Sequence, residues 1–107
     1  MRLALALLLA LGAVSAAPST QTFVGTISDD MCWKEGHARM QMGPTDADCT
    51  RACVAEHGAA YVLVAKPNVY TLAGEKSPAP FAGQKVKVTG VLNTKTKSIQ
   101  VESISAR

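Results

Sequence analysis

The stretch Ala60-Tyr-Val-Leu-Val-Ala-Lys-Pro-Asn-Val-Tyr-Thr-Leu72 decides the fold class. Residues 60–65 are apolar on both faces and rich in strand-favouring types, which predicts a central β-strand. Lys66-Pro67-Asn68 is turn chemistry, because Pro presets φ and Asn tolerates turn geometry. Residues 69–72 then return as the hairpin partner.

The chain beyond this hairpin continues as β-structure. Residues 74–83 hold Pro78 and Pro80 and read as a loop, with Phe81 as its anchor. Lys85-Val-Lys-Val-Thr89 alternates, with Val86 and Val88 facing inward. Gly90 marks an expected bulge, and Val91-Leu92 prolong the strand. Residues 93–97 turn the chain, and 99–104 form the last strand. Ile99 and Val101 share one face while Ile104 falls on the other, so an irregularity near Ser103 is expected.

On the N-terminal side, Phe23-Val-Gly-Thr-Ile27 alternates and predicts a first strand, with Gly25 marking a bulge or a close backbone approach. Between this strand and the hairpin lies one helix signal. Thr45 is the expected N-cap, with Asp48 three residues on as a capping-box variant. Asp46 and Asp48 suit the positive end of the helix dipole, and Gly58 suits a left-handed C-cap. The spacing predicts a helix over 46–57. Five short strands and one helix give a mainly β fold. The expected architecture is a small five-stranded barrel like the oligonucleotide/oligosaccharide-binding (OB) fold, with the helix between strands 1 and 2. The alternative is an open five-stranded sheet with the helix packed on one face.

The first 17 residues read differently. Arg2 precedes the apolar run Leu3–Leu11, and Val14-Ser-Ala-Ala17 supplies small residues ahead of Pro18. This is the layout of a signal peptide, with cleavage after Ala16 or Ala17. The run is too short for a spanning helix, which needs roughly 20 apolar residues. No later segment is long and apolar enough to cross a bilayer. The reading is therefore a leader over 1–17, a single domain over 18–107, and a periplasmic or secreted location. The formal charge of the whole chain is +3. It falls when Arg2 leaves, and so weak a balance gives no argument for nucleic acid or an anionic membrane.

Gly25-Thr-Ile-Ser-Asp29, Cys32, His37, Cys49-Thr-Arg-Ala-Cys-Val54, Tyr61-Val-Leu63, Val69-Tyr-Thr-Leu72 and Phe81-Ala-Gly-Gln-Lys-Val-Lys-Val-Thr-Gly90 together resemble a group of small exported bacterial proteins. The resemblance covers nearly all of the chain after the leader. It implies export and an OB-like barrel. It implies no activity, so the chemistry rests on the residues.

The chemically unusual segment runs over 29–57. Cys49, Cys53 and His57 are each four apart, so on a helix they share a face. That face can meet a loop carrying Cys32 and His37. One reading is a metal site: Cys32, His37, Cys49 and Cys53 supply three sulfurs and an imidazole, enough for tetrahedral zinc. Met31, Met40 and Met42 add thioethers, which with thiolate and imidazole favour copper(I), although plain packing is their blander role. His57 reads more readily as a favourable charge at the helix C-terminus than as a fifth ligand.

The competing reading is a structural disulfide, the usual fate of exported cysteines. Helical positions four apart place Cβ atoms about 5–6 Å from each other, whereas a disulfide needs roughly 3.8 Å. Cys32 is therefore one partner, joined to Cys49 or Cys53. Such a bridge encloses about 20 residues and contributes on the order of 3 kcal/mol in the chain-entropy picture. A domain of this size has a limited core and gains much from either staple.

Catalysis finds little support. There is no Cys-x-x-Cys, Asp46 and Asp48 oppose the activating effect of the helix N-terminus on Cys49, and no group orients a Cys–His pair. Asp29 and Asp30 read as turn formers rather than an acid/base pair. A further reading is a disulfide-stapled module that binds a protein, peptide or glycan without metal, with Trp33, Tyr61 and Tyr70 as candidate contacts. Core packing is the simpler role for the two tyrosines. The partner is thus a metal ion or an envelope protein. Single-stranded nucleic acid is disfavoured because the aromatics are few and the lysines are scattered in sequence.

Overall fold

A computed structural model of the chain describes residues 19–34 and 42–107. The expected leader over 1–17, and His37 and Met40, lie outside the described residues.

The elements follow in the order β1 (Gln21–Asp29), α1 (Asp46–His57), β2 (Tyr61–Ala65), β3 (Asn68–Ala73), β4 (Lys85–Asn93) and β5 (Ser98–Ala106), with a 3₁₀ turn over Ala79–Phe81. Each strand pairs with two neighbours, so the sheet closes as a ring in the order β1-β2-β3-β5-β4. All pairings are antiparallel except β3 with β5. Lys66-Pro67 forms the two-residue connection between the paired residues Ala65 and Asn68.

The alternation along the strands fills the inside of the ring. Ile27, Leu63, Val86, Val88, Ile99 and Val101 are buried together, with Ala82 from the loop before β4. Phe23, Tyr61, Tyr70 and Phe81 pack against them. Both tyrosines thus do the core packing that their sequence positions suggested. The Phe23 and Tyr70 rings lie 5.3 Å apart at a 58° tilt, within the range of favourable aromatic pairs.

Two glycines permit the strands to close. A Cβ on Gly25 would stand 2.5 Å from the Val64 carbonyl oxygen, so the close approach of β1 to β2 needs a residue without one. At Gly90 the register of β4 against β5 shifts: Thr89 faces Ser103, whereas Gly90 faces Val101. The extra residue is Glu102 on β5. One irregularity therefore accounts for both the glycine in β4 and the change of face in β5, and it lets Ile104 pack on the same core as Ile99 and Val101.

The helix is bounded as its end chemistry predicts. The Thr45 hydroxyl accepts from the Asp48 backbone N–H at 3.1 Å, and Gly58 adopts φ 68° with its N–H donating to the Cys53 carbonyl. Asp46 and Asp48 occupy the first turn and His57 the last. The buried helical residues are Cys49, Thr50 and Cys53, a face made of small side chains. So little apolar area secures the helix weakly by hydrophobic burial alone. Arg51 adds a tie, its Nε donating to the Ala79 carbonyl at 2.9 Å.

Candidate metal centre

Outside the ring lies a second, smaller buried cluster: Cys32, Cys49, Cys53 and Ala59, with Met42 and Val54 packed against it. The three cysteines are 1 % exposed or less. Two come from one face of α1, one helical turn apart. The third is brought in by the turn that follows β1.

Asp29, the last residue of β1, builds that turn. Its side chain is fully buried, and Oδ2 accepts from the backbone N–H groups of Met31 and Cys32, each at 3.1 Å. The Asp29 carbonyl accepts from Trp33 N–H at 3.2 Å. Asp30 fastens the same turn to the start of β2: its Oδ1 accepts from Ala60 N–H at 3.1 Å, and its own N–H donates to the Ala60 carbonyl at 3.0 Å. Both aspartates are turn formers, as their sequence setting suggests. Sequence reasoning missed that Asp29 also positions Cys32. The available signal was an aspartate followed two and three residues later by backbone donors, the pattern of a local side-chain turn.

The three Sγ atoms lie within 4.8 Å of one another, and Cys32 and Cys53 are hydrogen-bonded at 3.9 Å. All three are free thiols. The disulfide alternative is not found in this geometry, because a sulfur–sulfur bond measures about 2.05 Å. A metal fits better. Zinc–sulfur bonds of about 2.3 Å in a tetrahedron place neighbouring sulfurs about 3.8 Å apart, close to the Cys32–Cys53 separation.

Of the other sequence candidates, Met42 packs on the thiol cluster, Met31 is 47 % exposed, and His57 is exposed at the end of the helix. His37 lies outside the described residues, so the structure brings together three members of the expected quartet. Without a metal, burial pushes the Cys32 thiol up to about 12, reinforced by the hydrogen bond to Cys53 and the nearby Asp29 carboxylate. Burial also raises the Cys53 thiol. A cation among the three sulfurs reverses this preference, since it binds the thiolates and displaces their protons.

No protein-family model, curated protein or solved structure matches this chain. The reading of the site therefore rests on its own residues.

Proposed function

We propose that this protein is an exported binding domain that holds one soft metal ion, copper(I) or zinc, through Cys32, Cys49, Cys53 and His37. The observation that carries the reading is the convergence of three buried thiols within 4.8 Å, two from the helix and one from the turn after β1. Three sulfurs suit either ion, and a thioether at Met42 beside them adds to the case for copper. His37 is five residues after Cys32, near enough in sequence to close a fourth position. Zinc held by four protein ligands is a structural arrangement rather than a catalytic one, which agrees with the lack of a catalytic motif.

Membership of the exported bacterial group, an OB-like identity for the ring and a periplasmic or secreted location form part of the same proposal. The strand order with a parallel β3–β5 closure supports the OB-like reading. The leader-like start supports export.

The test is titration of the reduced protein with each ion against a competing chelator, alongside intact mass and metal analysis of protein from the bacterial envelope. The expected outcome is one ion per chain bound more tightly than about micromolar, on a chain beginning at Ala17 or Pro18. Failure of both ions to bind that tightly, with a disulfide in the native material, would sink the metal reading. Met1 retained in envelope material would sink the cleaved leader.

A further inference from the structure

Away from the thiols, the outer surface of the ring gathers a second set of side chains. Lys66 follows β2, Lys85 opens β4 and Arg107 follows β5. All three line one open depression of about 500 Å³, with Val24, Thr26 and Val64 among the other lining residues and no acidic side chain among them. The registers explain the convergence. Thr26 of β1 is paired with Lys85 on one side and Val64 on the other. The Arg107 backbone N–H donates to the Lys85 carbonyl at 3.0 Å, so these two residues stand side by side where β5 ends beside the start of β4. Lys85 and Lys66 flank β1, two strand spacings apart, about 10 Å across the sheet. Among the described residues, Arg51 pairs with Asp48 on the helix, while Lys66, Lys85 and Arg107 are exposed and enter no ion pair.

A neighbouring depression of about 280 Å³ shares Thr26, Val64 and Lys66 and reaches Trp33 and Asp46. The two form one track that runs from three cations, past a threonine hydroxyl, to a half-buried indole.

We propose that this track binds an acidic oligosaccharide, with carboxylate or sulfate groups at Lys66, Lys85 and Arg107 and a sugar ring against Trp33. Its three cations lie away from the thiol cluster, although Trp33 adjoins Cys32, and the proposal does not rest on the metal reading. The chemistry of the surface favours a glycan over other polyanions. An acidic peptide that binds by strand addition needs an edge strand, and in this ring every strand has two neighbours, so no strand is wholly free. Single-stranded nucleic acid needs several aromatic platforms, and the track has one. An anionic bilayer needs an apolar face to enter, and here that amounts to Val24.

Trp33 is the one tryptophan of the chain, so its fluorescence reports on this site directly. Full-length protein would be titrated with size-defined oligogalacturonate, with its neutral methyl ester, with oligothymidylate and with anionic phospholipid vesicles. The expected result is a saturable change in Trp33 emission with oligogalacturonate that weakens as salt rises. The methyl ester should bind roughly tenfold more weakly or worse, as should the variant Lys66→Gln/Lys85→Gln/Arg107→Gln with the acidic ligand. The charge-retaining variant Lys66→Arg/Lys85→Arg/Arg107→Lys should bind like the parent, which separates loss of charge from loss of fold. Equal binding of the methyl ester, unchanged affinity in the glutamine variant, tighter binding to oligothymidylate or vesicles, or no binding of oligogalacturonate overturns the proposal.

Discussion

Replacing Cys53 by Ser tests the thiol cluster most directly. Cys53 is 0 % exposed, and its sulfur lies 3.9 Å from that of Cys32. Serine has nearly the same shape, so the variant isolates the chemistry of one atom. Without metal, a hydroxyl replaces a thiol among sulfurs, which are weak acceptors. An uncompensated buried hydroxyl costs roughly 1–3 kcal/mol by mutational measures. At about 4–8 °C per kcal/mol for a domain of this size, the metal-free midpoint should fall by roughly 5–20 °C. With metal the difference should widen. A ligand at about 100 times its dissociation constant stabilises the native state by about 2.7 kcal/mol, and loss of one thiolate should remove most of that. The assay is thermal unfolding of reduced parent and variant, each with and without excess copper(I) or zinc, followed by circular dichroism. If Cys53→Ser retains the full metal-induced rise of the parent, Cys53 is not a ligand and the proposed centre is wrong.

Three further outcomes are expected. In reduced, metal-free protein the folded-state value of Cys32 lies near 12 against an ordinary 9.0, and Cys53 is also raised; the stability from these protonated thiols is complete below about pH 9 and declines toward pH 12, by at most about 1.4 kcal/mol per pH unit per thiol. Urea unfolding at pH 8 and pH 10.5 should show this decline, which would be shallower in Cys32→Ser. Oxidation with diamide should join Cys32 to Cys53, the pair at 3.9 Å, release the metal and leave Cys49 as the free thiol that is alkylated on unfolding; peptide mapping that places Cys49 in the bridge would contradict this assignment. His37→Ala should weaken metal binding while the metal-free protein still unfolds cooperatively by circular dichroism; an unchanged affinity would remove His37 from the ligand set.

The sequence by itself determined the local structure of this protein. Thr45, Asp48 and Gly58 bound the helix because capping is a matter of neighbouring backbone donors and acceptors, complete within a few residues. Alternation of Val86 and Val88, and the Lys66-Pro67-Asn68 turn, gave strand faces and a hairpin for the same local reason. The spacing of Cys49 and Cys53 placed both on one helix face and ruled out a bridge between them. What spacing could not reach is the long-range geometry. Whether Cys32 lies nearer Cys49 or Cys53 depends on the turn built by Asp29 and Asp30 and on how that turn is tied to Ala60. The strands were visible singly, but closure of β3 onto β5 in parallel joins residues that share no local pattern. The clearest case is the basic track. In the sequence Lys66, Lys85 and Arg107 are unrelated residues of a weakly charged chain. Closing the ring brings them to one surface, because strand neighbours are set by hydrogen bonding across the sheet and not by distance along the chain.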